Sequence, residues 1–185
     1  NDLGTLIAGR HDTPMKMAIS KHDLFSNQIG DNGNIVGRIP GVGETSAGWN
    51  LRTQNTIAYL TPNLSGFSAV VAYVADHDRR PGRDKDKDGQ LPNLVKLNDD
   101  INAYDAWSVS ANYDFQGMFD ITAAYEQHNT GKALDDVDEK SWLIGVSTNV
   151  AGIKVNALYQ NIKDFARNDS DIYGIGAAYT FGANT

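Results

Sequence analysis

The stretch that decides the fold reads WSVSANYDF over residues 107–115, QGM over 116–118 and FDITAAYEQH over 119–128. In its first and third segments, apolar residues occupy nearly every second position, with small or polar residues between them. Successive side chains of a β-strand point to opposite faces, so this period of two predicts two strands, each with one apolar and one polar face. The three residues between the segments predict a tight antiparallel hairpin.

The same alternation recurs on both sides of this hairpin. It is seen over residues 53–61, 67–73, 142–150, 153–160 and 173–181, and less regularly over 3–10. Tight turns alternate with long polar connections, which are predicted at residues 75–103, 129–141 and 164–171. The sequence therefore predicts an all-β protein: an antiparallel meander of about eight strands, with one end rich in loops and the other trimmed short.

The alternation is compatible with more than one environment. A soluble sandwich or lipocalin-like barrel, binding a small ligand or a carbohydrate, would bury the apolar row and expose the polar row to water. A transmembrane barrel would turn the apolar row to lipid instead. Its purpose could be transport, or adhesion and structural anchoring.

Three features favour the membrane. Aromatic residues gather near both strand ends, as interfacial girdles do, and the polar row has few long charged side chains. A strand of about ten residues tilted by ~45° also spans about 23 Å, close to the apolar band of a membrane barrel. The aromatic residues near the tight turns are Tyr59, Phe67, Phe115, Phe119 and Phe181, and those near the long connections are Tyr73, Trp107, Tyr125, Trp142 and Tyr173.

The totals of the chain exclude several classes of protein. A length of 185 residues fits one domain, and a net charge of −7 without a basic stripe argues against nucleic acid as a partner. The chain has no Cys, which excludes disulfides and thiolate metal sites. It has no apolar run of about eighteen residues, which excludes a spanning helix but leaves spanning strands open.

Residues 11–50 interrupt this pattern with about forty residues that lack sustained periodicity, which is unusual in a compact domain unless the segment is functional. They are rich in Gly, Asn and Asp, and residues 15–26 could hold a short helical turn. We expect this segment to fold back into the hollow of a barrel and to narrow it.

The first 75 residues also carry motifs in a recognisable order. They are Gly9-Arg10-His11-Asp12-Thr13-Pro14, Asp23-Leu24-Phe25, Gly37-Arg38, Arg52, Asn55-Thr56-Ile57-Ala58-Tyr59-Leu60-Thr61-Pro62 and Gly66-Phe67-Ser68. This order resembles the general diffusion porins of Gram-negative bacteria, the β-proteobacterial type in particular. The resemblance implies a sixteen-stranded homotrimeric barrel in the outer membrane, in contact with lipopolysaccharide. It also implies a water-filled channel for small hydrophilic solutes and ions, with residues 11–50 as its inward-folded constriction loop.

The chain departs from that family in its extent, since it would begin at the fifth strand and end after the twelfth, without a terminal aromatic residue. An eight-stranded barrel has an interior just filled by side chains, so it cannot hold a forty-residue loop. We therefore expect residues 1–185 to be an internal fragment that forms an open half-barrel with two unpaired edges.

Charges on an inserted loop that oppose charges on the wall would select solutes by size and charge. Arg52 is assigned to the polar row because it shares its parity with Thr56 and Ala58. The alternative is that each charge is simply solvated or pairs with a neighbour for structural reasons. The predicted pore-lining residues are Asp23, Asp31, Arg38 and Glu44 on the loop, Arg10 and Arg52 on the first two strands, and Asp120, Glu126 and Lys154 on the polar row.

Signals for catalysis or metal binding are weak. The DKDKDG run at 84–89 resembles the start of a calcium loop, but its twelfth position is Val95 rather than Glu, so an acidic solvated loop is the ordinary interpretation. The four His residues lack zincin spacing. Asp120 and Glu126 would lie roughly 20 Å apart on one strand, too far for glycoside chemistry. The sequence predicts no enzyme, no cofactor and no metal site.

Overall fold

A computed structural model describes residues 3–26, 28–36, 49–50, 52–75, 105–129, 139–164 and 167–179. Its eight strands form one antiparallel sheet in which every strand pairs with its neighbours in the chain, so the predicted meander is confirmed. Two short helices, α1 (Pro14–His22) and α2 (Asn32–Val36), lie between the first two strands. The strands are β1 (Thr5–Asp12), β2 (Arg52–Leu60), β3 (Phe67–Val74), β4 (Asp105–Phe115), β5 (Phe119–Asn129), β6 (Glu139–Val150), β7 (Ile153–Asp164) and β8 (Arg167–Tyr179).

Two tight turns set the register of the central strands. Gln116 and Gly117 have φ angles of 52° and 75°, and Ala151 and Gly152 have 52° and 79°. Two successive left-handed residues give the turn a twist that matches the twist of the flanking strands, which is why such turns close hairpins. The Asp114 side chain stabilises the first turn by accepting a hydrogen bond of 2.7 Å from the Gly117 N–H.

The two faces of the sheet have opposite exposure. On β4, Trp107 is 53% exposed while its neighbour Ser108 is 1% exposed. The same contrast runs through β5 and β6, where the aromatic and aliphatic row is exposed and the polar row is buried. In the described part of the chain, no second layer covers the apolar row. This inverts the arrangement of a soluble sandwich and agrees with an apolar face turned to lipid.

The sheet is open within the described residues, because β1 and β8 lie at its two ends and each pairs on one side only. The expectation of an open sheet rather than a closed eight-stranded barrel is therefore confirmed. No described helix has the length and apolar character needed to cross a bilayer.

The structure corrects two predicted boundaries. β1 extends through His11 and Asp12, which were assigned to the loop. The polar connection predicted at 164–171 is wrong, because β7 runs to Asp164 and β8 starts at Arg167. Polar residues continue this ladder through cross-strand bonds: Tyr159 Oη and Asn161 Nδ2 donate to Asp171 Oδ1 at 2.7 and 2.8 Å. Most of the predicted connections at 75–103 and 129–141 lies outside the described residues.

Candidate functional site

Helix α1 is defined by its own first residues. Thr13 caps it, with extended backbone angles and an Oγ1 that accepts a hydrogen bond of 3.2 Å from the Lys16 N–H, and Pro14 follows at the first helical position. Both features start helices, because the cap satisfies a free N–H and proline needs none. The buried side chains, Met15, Ala18, Ile19 and His22, recur at helical spacing and form one face.

This face lies on the polar side of the sheet, against β4, β5 and β6. The Met15 N–H donates a hydrogen bond of 3.0 Å to Ser108 Oγ, and Asn156 Nδ2 donates to the His22 carbonyl oxygen. Gly145 lets the helix approach closely, since a Cβ there would lie 2.4 Å from His22 Cδ2. Helix α1 therefore covers part of the polar row.

Charged side chains anchor the carboxyl end of α1. Lys21 Nζ forms an ion pair of 2.7 Å with Asp120 Oδ2 on β5 and also contacts Asn112 Oδ1 on β4. A cavity of about 300 Å³ adjoins this anchor at the tight-turn end of the sheet. Lys21, Asp114, Asp120, Ser147 and Lys154 are among the residues that line it. The cavity places two cations and two carboxylates around a space of the size of a small solute.

His22 is buried beside this anchor. It is 2% exposed, and its Nε2 lies 3.7 Å from Asp120 Oδ1. Its pKa is lowered from the ordinary value of 6.5 to about 4, chiefly by burial; Asp120 opposes this shift, and the charges of Lys21 and Lys154 add to it. Near neutral pH the ring is therefore uncharged, and it acts as a packing group against Gly145.

We expect acidification to detach α1 from the sheet. Between pH 6.5 and 4 the detached helix takes up a proton on His22 that the docked helix excludes, so docking is strongest above pH 6.5 and weakens as the pH falls. The chain has no Cys of its own, so single thiols can report on docking. The reactivity of a buried Ala18→Cys thiol, relative to that of an exposed Ser20→Cys thiol, should rise across this range. In a His22→Asn background the ratio should stay flat, and an equally steep rise there would contradict the assignment to His22.

A second anchor fixes the end of the inserted segment. On β5, His128 Nε2 lies 2.8 Å from Glu126 Oε1, and its Nδ1 lies 3.3 Å from Glu139 Oε2 on β6. All three residues are buried, and the indole of Trp49 stacks on the imidazole with ring centroids 4.2 Å apart. Trp49 in turn donates a backbone hydrogen bond of 3.1 Å to the Val36 carbonyl oxygen in α2. The inserted segment is thus attached to the sheet at two points, Lys21 and Trp49.

Two of the loop carboxylates predicted to line the pore accept hydrogen bonds from backbone N–H groups of the loop itself. Asp23 Oδ1 accepts from the Phe25 N–H at 2.8 Å, and its Oδ2 accepts from the Asn32 N–H at 2.9 Å. Asp31 Oδ1 accepts from the Gly33 N–H at 2.6 Å, just before α2. These bonds support the alternative role, in which the two carboxylates hold the loop. Arg38 and Glu44 lie outside the described residues, as does the 84–89 run.

The two predicted wall cations, Arg10 and Arg52, lie on β1 and β2 at an irregularity of the sheet. A bulge in β2 interrupts its pairing with β1: the exposed Arg10, between Gly9 and His11, lies opposite two residues of β2, Gln54 and Asn55. Asn55 is left-handed with φ 54°, so Thr53 and Thr56 both face the buried side. Because successive side chains of a strand point to opposite faces, the exposed Arg52 lies on the face opposite to the buried Thr53. The parity assigned to Arg52 is therefore wrong, because a bulge shifts the alternation by one residue.

Of the nine predicted residues, the structure brings Asp120 and Lys154 together at the cavity and places Glu126 in the second anchor. Sequence reasoning missed their partners. A signal for α1 was present in Thr13-Pro14 followed by Met15, Ala18, Ile19 and His22 at positions i, i+3, i+4 and i+7. No local signal pairs Lys21 with Asp120, since the two are 99 residues apart. The missed partners are Lys21, His22, Trp49, Asn112, His128, Glu139 and Asn156.

Comparisons with known proteins agree with this architecture. A family model described as Gram-negative porin matches residues 1–185. An anion-selective porin from Comamonas acidovorans has a similar structure, with a TM-score of 0.52 at 19% sequence identity. The match covers 99% of this chain and 61% of that porin, so this chain spans about three fifths of its length. A comparison with curated proteins finds no match. At this identity the structural match shows a shared fold alone.

Proposed function

The chain belongs to the family of Gram-negative porins, and from this premise we propose that it forms part of the wall of a water-filled channel. The channel would let small hydrophilic solutes and ions diffuse passively. Membership of the family indicates the bacterial outer membrane as the location of the chain. We propose neither a catalytic activity nor a cofactor.

One observation carries this proposal: the apolar face is bare and the polar face holds the chain's own helix. An exposed row of aromatic and aliphatic side chains is costly in water and suits lipid. A polar row beneath an inserted helix suits an aqueous lumen that is narrowed from within. Trp107 at 53% and Trp142 at 44% exposure lie on the bare face, whereas Ser108 and Gln160 lie on the covered face.

Selection would act where solutes pass the inserted segment. At the tight-turn end, Lys21 and Lys154 share a cavity with Asp114 and Asp120, so a passing ion meets both signs of charge within a few side chains. Lys21 is paired with Asp120, which leaves Lys154 as an exposed cation on the same wall. We propose that this cavity forms part of the constriction, and that Asp120 and Lys154 are wall residues of the lumen.

Conductance tests the channel directly. The protein, reconstituted in a planar bilayer, should produce stepwise currents that scale with salt concentration and should release small sugars from loaded vesicles. A protein that binds vesicles without conducting would instead support an adhesive or anchoring role. The assembly we propose is a homotrimer in contact with lipopolysaccharide, for which chemical cross-linking in membranes should give a ladder that ends at three subunits.

The Lys21–Asp120 pair gives a sharper prediction. Removing the cation with Lys21→Met leaves the carboxylate of Asp120 exposed to the lumen, so the preference for cations should rise. Removing the anion with Asp120→Asn should shift the preference towards anions. We expect roughly a two- to fivefold change in the permeability ratio, which corresponds to up to about 1 kcal/mol for one charge near a wet wall. Reversal potentials in a salt gradient measure this ratio.

The matched control removes both charges together. Lys21→Met/Asp120→Asn should return the permeability ratio close to that of the parent, since the pair is neutral as a whole. Two single variants that shift the ratio in the same direction would contradict a luminal ion pair.

A further inference from the structure

The charges that line the cavity at the tight-turn end of the sheet are in balance. Asp114 and Asp120 are direct cross-strand partners on β4 and β5, and both line the cavity. Like charges placed directly opposite each other repel, and Lys21 relieves this repulsion by pairing with Asp120 at 2.7 Å. The carboxylate of Asp114 is left as the second acidic group, and Lys154 supplies the second cation. The four charges therefore cancel.

Asp114 and Lys154 are both accessible to a solute. The exposed Asp114 accepts a hydrogen bond from the Gly117 N–H through Oδ1, which leaves its Oδ2 for a ligand. Lys154 is exposed on β7, and its cross-strand partners, Asn149 and Ala178, are uncharged. The ion pairs found within the described ranges do not include Lys154. The cavity thus offers one accessible anion and one accessible cation.

Polar side chains lie between these two charges. Ser147 and Asn149 on β6 both line the cavity, and a hydroxyl and an amide are suited to bind a peptide group. Because β5 and β6 separate β4 from β7, the backbones that carry Asp114 and Lys154 are about 14 Å apart. An extended dipeptide spans about 7 Å, and the long side chain of Lys154 covers much of the remainder. A ligand of dipeptide length therefore fits between the two charges.

We propose that this cavity binds small zwitterionic solutes of dipeptide length, with their ammonium group at Asp114 and their carboxylate at Lys154. This inference rests on the proposed function, since it takes the cavity to be part of the lumen. A solute with a single charge uses only one of the two groups, whereas an aligned zwitterion uses both. The site would then favour short peptides over singly charged or neutral solutes of the same size.

Four derivatives of one dipeptide separate the charges of the ligand. Glycylglycine carries both charges, glycylglycinamide only the ammonium, N-acetylglycylglycine only the carboxylate, and N-acetylglycylglycinamide neither. Saturation-transfer NMR on the protein in a neutral detergent at neutral pH measures the affinity for each. We expect glycylglycine to bind about 25-fold more tightly than the uncharged derivative, because each charge near a wet wall contributes roughly fivefold.

Two variants assign each end of the ligand to one residue. Asp114→Asn should weaken the binding of glycylglycine and glycylglycinamide about fivefold and should spare N-acetylglycylglycine; the asparagine keeps the oxygen that accepts from Gly117. Lys154→Gln should weaken glycylglycine and N-acetylglycylglycine by a similar factor and should spare glycylglycinamide. The matched controls, Lys163→Gln and Asp169→Asn, remove the same types of charge from exposed positions near the other ends of β7 and β8, and should change none of these affinities.

Two results would overturn the proposal. One is a singly charged or uncharged derivative that binds as tightly as glycylglycine. The other is a variant, Asp114→Asn or Lys154→Gln, that changes the affinity for all four derivatives equally. Conductance of the same preparations tests the channel separately. A conducting protein without the expected order of affinities would remove only the zwitterion site, whereas a protein that shows this order and never conducts would contradict only the proposed function.

Discussion

Replacing His128 by leucine is expected to destabilise the protein by about 3–5 kcal/mol, the usual cost of breaking a buried group of charges by removing one partner. Glu126 and Glu139 would then face each other across a buried apolar side chain without the imidazole between them. The stacked indole of Trp49 would lose its ring partner at the same time. Unfolding in guanidinium chloride, followed by tryptophan fluorescence, measures the change.

The cost of leaving two buried carboxylates without their partner can be distinguished from the cost of lost packing. In the triple variant Glu126→Leu/His128→Leu/Glu139→Leu the carboxylates are removed as well, and buried ionic groups replaced together by apolar ones are often close to neutral. We therefore expect the triple variant to recover most of the loss. A triple variant less stable than His128→Leu would show that the carboxylates stabilise the wall by themselves, contrary to this account.

Filling the space above Gly145 is expected to push α1 off the sheet. A Cβ at this position would lie 2.4 Å from Cδ2 and 2.6 Å from Cγ of His22. The ring cannot yield easily, because Asn156 holds the His22 carbonyl and Asp120 holds the adjacent Lys21. For Gly145→Leu we expect a loss of about 1–3 kcal/mol in stability, typical of overpacking. We also expect a larger single-channel conductance, since the displaced helix no longer narrows the lumen.

The matched control adds the same bulk to the other face of the sheet. Ala157 lies on β7 with its side chain exposed on the apolar face, so Ala157→Leu should alter neither the stability nor the conductance by much. If Gly145→Leu conducts like the parent while its fold is intact, α1 does not narrow the channel.

The strand meander could be predicted because each strand carries its own signal. The alternation in residues 107–128 depends only on which side of a pleated strand meets lipid, and every neighbouring strand obeys the same constraint. Local signals failed where the backbone departs from that regularity. The bulge at Gln54 and Asn55 reverses the alternation for Arg52. The polar ends of β7 and β8 continue through hydrogen bonds that hydropathy does not reveal.

The site was harder to predict because its contacts are distant in the chain. Asn156 and the His22 carbonyl are 134 residues apart, and Met15 and Ser108 are 93 apart. The buried face of α1 belongs to a cluster with Ala124, Leu143 and Ile162, which lie on three different strands among polar neighbours, so no single apolar strand marks its docking place. Charge alone predicts Asp23 and Asp31 as pore-lining residues, but their carboxylates accept hydrogen bonds from backbone N–H groups inside the loop. Such bonds become visible only when the loop conformation is known.

The central claim concerns which face of the sheet meets lipid, and spin labelling along β4 tests it most directly. Because the chain has no Cys, nitroxides can be placed singly at Val109→Cys, Ser110→Cys, Asn112→Cys and Tyr113→Cys in the protein reconstituted in liposomes. Collisions with oxygen, which concentrates in lipid, should dominate at 109 and 113, and collisions with a water-soluble nickel chelate should dominate at 110 and 112. The reverse alternation, or none, would contradict the account.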